Sequence, residues 1–283
     1  MSSSVSDVGT PLAAGSAMIE LDALAKRYGD FTALGGLSLR VEPGEIFALL
    51  GPNGAGKTTT MRILMGFLKP SGGRATIAGL DCFEQRVELK RKVGYLPDEP
   101  VFYDYLRGRE IVEFSGEMHG LERDVIRARA TPIIERLELA DALADYAVNY
   151  SRGMKKKLAL VCALLHQPEL LILDEPTSGL DPIASRRLNE LVVEYQSQGA
   201  TVLLSSHLLD QVERLCQRMA IVHGGRIAAQ GTLDELRRER AEAGTLEEIF
   251  FAVTGGTGSG GSGSGGAGSG GVSSGGVRPG GDA

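Results

Sequence analysis

The sequence predicts an α/β fold: a parallel sheet with helices on its faces, an N-terminal antiparallel β part, and an inserted helical subdomain. Three observations lead there. Gly51-Pro52-Asn53-Gly54-Ala55-Gly56-Lys57-Thr58-Thr59 matches G-x-x-x-x-G-K-[ST] in full, between the apolar run Ile46-Phe47-Ala48-Leu49-Leu50 and a helix-spaced segment from Thr60 to Met65. Leu170-Leu171-Ile172-Leu173-Asp174-Glu175 is an apolar strand ending in two acids, and helix and strand patterns alternate after it. From about residue 97 to 150, charged and apolar residues recur at three- and four-residue spacing, with no strand-like run.

The first stretch predicts a phosphate site. Its glycines let the backbone wrap closely around an anion, where a Cβ would block the approach or the dihedrals. Their amides, with the positive end of the helix that follows, attract phosphate before any side chain contributes. Lys57 reaches the outer phosphates and the Thr58 hydroxyl ligates Mg²⁺. The chain therefore binds a nucleoside triphosphate. Ligands in open α/β sheets bind beyond the carboxyl ends of the strands, so Asp174 and Glu175 point toward that triphosphate. Asp174 suits a role at Mg²⁺, direct or through water. Glu175 suits the general base that polarises the attacking water.

The remaining elements follow in order. Ile19 and Leu21, then Leu37, Leu39 and Val41, alternate with polar or small neighbours as edge strands do, with a turn carrying Tyr28 at 26–30. Pro43-Gly44 turns the chain into the buried strand, and the breaker at 69–73 ends the first helix. Short strands follow at 75–79 and 93–96. Beyond the helical subdomain, 152–166 reads as one long helix stopped by Pro168. After the acidic strand come a helix at 184–196, a strand at 200–204, a helix at 208–217, a hairpin at 219–229 and two short closing helices. No internal repeat is visible.

Bulk properties narrow the class. A net charge of −6 argues against a dedicated nucleic-acid binder, and Lys155-Lys156-Lys157 reads as a solvated helix face. Residues 1–17 and 254–283 are rich in Gly and Ser without periodicity; both are expected to be disordered, leaving a folded domain over 18–253. Cys82, Cys162 and Cys216 lie far apart and read as buried free thiols in a reducing compartment. No run reaches transmembrane length and no signal-peptide pattern opens the chain. A soluble cytoplasmic protein is expected, able to sit against a membrane through a partner.

The motifs resemble, in order and across nearly the whole folded part, those of the ATP-binding subunits of ABC transporters. Residues 51–59 match the Walker A loop of that P-loop NTPase family, 170–175 the Walker B strand with its catalytic glutamate, and Ser178-Gly179-Leu180-Asp181 the D-loop. His207 matches the switch histidine, Tyr28 the aromatic that stacks on adenine, and Tyr150-Ser151-Arg152-Gly153-Met154 the signature, usually L-S-G-G-Q. The resemblance implies an ATPase using ATP and Mg²⁺, two subunits facing head to tail, and separate transmembrane permease chains that hold them at the inner face of the cell membrane. Ser151, Gly153 and Asp181 would then serve the nucleotide across the dimer.

Two departures stand out. The signature carries Arg152, and Asp98-Glu99 occupies the place of the usual Q-loop glutamine. An acid there can still ligate Mg²⁺, so Asp98 joins Thr58 and Asp174 as an expected metal ligand. Both departures, with the closing segment 246–251, resemble the single-cassette, export-type branch. The other reading is a soluble ATPase of the family acting on a ribosome or on DNA. Against it, the chain has one cassette, no charged linker and no coiled coil between the Walker motifs.

Overall fold

A computed structural model describes residues 16–239 and 244–255. Of the termini expected to be disordered, 1–15 and 256–283 lie outside the described residues. Just outside 18–253, Ala17 is buried and Thr254 closes the last helix.

Two β-hairpin-like strands open the chain, β1 (Ile19–Tyr28) and β2 (Phe31–Val41), joined at Gly29-Asp30 with Gly29 at φ 56°. That left-handed value is open to glycine without a Cβ penalty. Then come β3 (Ile46–Leu50), α1 (Lys57–Leu64), β4 (Gly72–Ile77), β5 (Leu80–Asp81), α2 (Arg86–Lys92) and β6 (Val93–Leu96). The insert holds α3 (Gly108–Met118), α4 (Arg123–Arg136) and two single 3₁₀ turns. The chain returns through α5 (Arg152–Leu164) and β7 (Leu170–Asp174). It closes with α6 (Pro182–Ser197), β8 (Thr201–Ser206), α7 (Leu209–Leu215), β9 (Arg218–His223), β10 (Arg226–Gly231), α8 (Leu233–Glu239) and α9 (Leu246–Thr254).

These strands build two sheets, an antiparallel one in the order β2-β1-β4-β5 and a mixed one in the order β10-β9-β3-β8-β7-β6. β3, β6, β7, β8 and β9 run parallel, with β10 antiparallel at the edge. β1 is not the edge strand its alternation predicts. It pairs on both sides, with β2 and with β4; the alternation reports only that Ile19, Leu21 and Leu24 face the core while the polar positions between them face solvent. The helix α2 and the short β5 were not legible in the pattern.

The larger sheet is buried on both faces, which is why its strands read as continuous apolar runs rather than as alternation. Ile46, Ala48, Leu50, Leu171, Leu173, Val202 and Leu204 join the core beneath the helices. Phe47, Leu49, Leu170, Ile172 and Leu203, the alternate residues, join a second core against the antiparallel sheet and α1. Complete burial of Phe47 stabilises the fold by about 3 kcal/mol. The insert packs its own buried residues, Ile111, Val112, Ile126 and Ala130, against Leu158 and Val161 of α5. Its outgoing and returning segments lie side by side: Ala147 donates to the Leu106 carbonyl (2.8 Å), Gly108 to Asp145 (3.2 Å) and Val148 to Asp104 (3.2 Å). Among the described residues no helix is long and apolar enough to cross a membrane.

Candidate nucleotide site

The loop after β3 is shaped by positions where only glycine fits. A Cβ on Gly51 would sit 2.4 Å from the Val222 carbonyl oxygen. Gly56 takes φ 109°, and a Cβ there would meet Leu34 Cδ2 at 2.6 Å. The Ala55 carbonyl accepts from Gly225 (3.1 Å), which fastens the loop to the β9–β10 turn. Helix α1 then begins at Lys57 with no side-chain cap and no acid in its first turn. Its positive end is left to whatever anion enters the loop.

Lys57 is buried. Its Nζ bonds the Gly51 carbonyl (2.5 Å), approaches that of Pro52 (3.4 Å) and lies 3.6 Å from Glu175 Oε1. Sheet register explains why the acids arrive here: Asp174, the last residue of β7, pairs with Ser205 of β8. The Ser205 hydroxyl donates to Asp174 Oδ1 and accepts from the Glu175 amide (3.0 Å). The Thr58 hydroxyl, at the start of α1, lies near this carboxylate. Burial raises the Asp174 pKa, the Ser205 and Thr58 hydrogen bonds oppose the rise, and the charges of Asp98 and Glu175 add to it. A buried carboxylate near the hydroxyl at a helix start fits a hard dication. Mg²⁺ is commonly held by one or two carboxylates with phosphates and water supplying the rest.

Glu175 sits at φ 46°, the left-handed region, without being glycine. Its carboxylate faces two cationic or hydrogen-bonding groups, Lys57 and His207, whose Nδ1 lies 2.8 Å from Oε2. A proton on Nδ1 would donate to that carboxylate oxygen. The arrangement gathers an anion cradle, a cation, a carboxylate and an imidazole within one mouth.

Asp98, the third acid expected at Mg²⁺, is paired in this structure with Lys156 (3.2 Å) and Arg152 (3.1 Å). The same contacts correct the solvated lysine face, because Lys156 has no exposed surface. Desolvation lowers its pKa, with Asp98 opposing.

The other expected site residues occupy two neighbouring edges. Ser151 caps α5, accepting from the Met154 amide (3.2 Å), and Gly153 lies against Gly179 and Leu180. Asp181 caps α6 through the amides of Ile183 and Ala184 (both 2.9 Å), and the Ala184 bond leads in holding its pKa low. Tyr28 stands half-exposed at the end of the β1–β2 hairpin, with the Lys26 ammonium 5.1 Å from its ring. Ala33 and Leu34 of β2 pack on Gly56, which brings this hairpin beside the phosphate loop. Sequence reasoning missed Ser205, Lys156 and Gln211. Gln211 accepts from Thr177 (3.2 Å) and Ser206 (3.3 Å) and donates to Asn189 (3.0 Å), bracing the strand end beside His207. Two serines closing an apolar strand were the one available signal for Ser205.

A glycine-shaped phosphate loop between strand and helix, with acids at the end of a parallel strand, defines a P-loop nucleotide-binding protein. Residues 34–178 match the family described as ABC transporter. The chain is 40% identical over 221 residues to the daunorubicin resistance ATP-binding protein DrrA3 of Streptomyces coeruleorubidus, covering 78% of this chain and 70% of that protein. It is 35% identical to the ABC transporter ATP-binding protein NatA of Bacillus subtilis (80% of this chain, 94% of NatA), and 36% identical to that organism's linearmycin resistance ATP-binding protein LnrL (77% and 70%). A solved ATP-binding subunit of an ABC transporter superposes with a TM-score of 0.79 at 35% identity, over 83% of this chain and 99% of that one. This chain belongs to the ABC transporter family, as an ATP-binding subunit with ATPase activity.

Proposed function

We propose that this chain powers an ABC transporter of the export type, binding and hydrolysing ATP against separate transmembrane permease chains and a second copy of itself. The observation that carries the reading is the meeting of Lys57, Glu175 and His207 at the mouth of the phosphate loop, with separations of 3.6 and 2.8 Å. Residues 51–59 cradle the triphosphate, Lys57 neutralises its outer oxygens, and Tyr28 stacks on the base. Glu175 takes the proton of the attacking water, and His207 orients Glu175 and the outermost phosphate. When bound, Mg²⁺ neutralises charge between the outer phosphates; Thr58 and Asp174 would hold it. Ser151, Gly153 and Asp181 lie on adjoining helix starts, and across a dimer they would meet the partner's nucleotide.

Export is supported by the resistance functions in the names of DrrA3 and LnrL. Permease docking is supported by a groove of about 540 Å³ on the insert, lined by Phe102, Leu106, Phe114, Met118 and others and rimmed by exposed Val101 and Tyr103. The working location is then the cytoplasmic face of the cell membrane. Glu175→Gln should keep ATP binding, lose hydrolysis by roughly 10²–10⁴-fold and accumulate as an ATP-bound dimer on size exclusion. A monomer hydrolysing at the parent rate would refute the assignment of the base. Recovery of ribosomal proteins, rather than a multi-span chain, from detergent-solubilised membranes would refute the transporter.

A further inference from the structure

We infer that Lys156 is a positioning residue for Glu175, with Asp98 as its counter-ion; this rests on Glu175 being the general base. An ammonium without exposed surface persists only where its donors are all used. Lys156 has three donors and three acceptors: Asp98 Oδ1 (3.2 Å), the Glu175 carbonyl (2.5 Å) and the Ser178 carbonyl (3.3 Å). Two of those acceptors belong to the loop that follows β7, and one of these two is the carbonyl of the base itself.

That carbonyl matters because the Glu175 backbone is strained. A non-glycine residue at φ 46° is held there by its surroundings, not by its own preference. Ser205 holds the amide on one side of the Glu175 Cα and Lys156 the carbonyl on the other. With both peptide planes fixed, the side chain leaves the backbone toward Lys57 and His207. Lys156 is fully buried on a helix whose following residues Leu158, Ala159 and Leu160 are buried too. The charge serves the carbonyls.

Asp98 gives the device a second end. It lies on the segment after β6, which runs on into Val101, Phe102 and Tyr103 at the groove. Two consecutive contacts, Asp98 to Lys156 and Lys156 to Glu175, join the groove's rim to the base.

The test compares Lys156→Met, Lys156→Gln and Glu175→Gln in the full chain, measuring ATP binding by a fluorescent analogue, the ATPase kcat and the melting temperature. Lys156→Met should lower kcat by about 10²-fold, the scale of a misplaced catalytic group, with ATP affinity unchanged. Lys156→Gln restores N–H donors and should recover part of the rate at a similar melting temperature. A parent kcat in Lys156→Met overturns the inference. So does a rate loss matched by lost binding and melting in both lysine variants, with no advantage for Gln. If Glu175→Gln itself hydrolyses ATP at the parent rate, the reading of the base fails independently of either lysine result.

Discussion

Replacing Ser205 by Ala removes one oxygen that serves two catalytically placed neighbours. The Ser205 hydroxyl donates to the buried Asp174 carboxylate and accepts from the Glu175 amide at 3.0 Å. A hydrogen bond to a charged group contributes about 1.5–3 kcal/mol, and a buried amide left without a partner costs about 1–3 kcal/mol. Taking the lower part of each range, Ser205→Ala destabilises the fold by about 3 kcal/mol. For a domain of this size that is a fall in Tm of roughly 6–12 °C. Circular dichroism melting of the nucleotide-free protein measures it, and the ATPase rate should fall in the same variant because the Glu175 amide is released. A Tm within about 2 °C of the parent, with an unchanged rate, would refute the account of Ser205 as the tie between the two acids.

Two further outcomes are expected. Lys57→Ala deletes the buried ammonium beside Gly51 and Glu175. It should weaken ATP binding by about 10- to 100-fold, the value of one charge-assisted contact; an unchanged affinity of a fluorescent ATP analogue would contradict the phosphate-loop assignment. His166 stacks on His119 at 3.8 Å, bonds the Val93 carbonyl through Nε2 and leaves a buried Nδ1 unpartnered among the described residues. Burial, reinforced by His119, pushes its pKa down to about 4. The unfolded chain, titrating near 6.5, then binds more protons between those values, so stability falls as pH drops from 6.5 toward 4, by up to roughly 3 kcal/mol. His166→Gln should flatten the dependence of Tm on pH across that window, and an identical slope would refute it.

The legible part of this protein is the part whose physics is local. A phosphate loop must have its glycines, its lysine and its flanking strand and helix in sequence, so 46–65 could be read directly. The doubly buried strands β3, β7 and β8 betrayed themselves as unbroken apolar runs. What stayed hidden depends on pairing across the fold. Nothing in Ile19–Tyr28 indicates that β4, some fifty residues later, will cover its second edge. Nothing near Lys156 indicates that residue 98 will meet it, so a triple lysine read as solvent-facing. That reading took a charge at its commonest use, and Asp98 pairs with it instead. Helix α2 escaped for a simpler reason: in seven residues it buries only Leu89, too little for a period to show.

The side-by-side path of the insert's two connections has a mechanical consequence. A body hung on one strand can swivel about it; one hung on a paired ribbon resists twisting and bends chiefly across the ribbon's face. Segments 104–108 and 145–148 form such a ribbon through three backbone hydrogen bonds. Gly108 lies so close under Tyr150 that a Cβ would fall 2.0 Å from its hydroxyl, which leaves no slack where ribbon and α5 meet. Any rocking of the insert is therefore passed on directly to the start of α5, which carries Ser151 and Gly153. The closed neck also separates length from register. Residues added at the far end of the insert, around the α3–α4 turn, lengthen a loop whose ends are already joined, so this lobe can be remodelled while the sheet beneath it keeps every pairing.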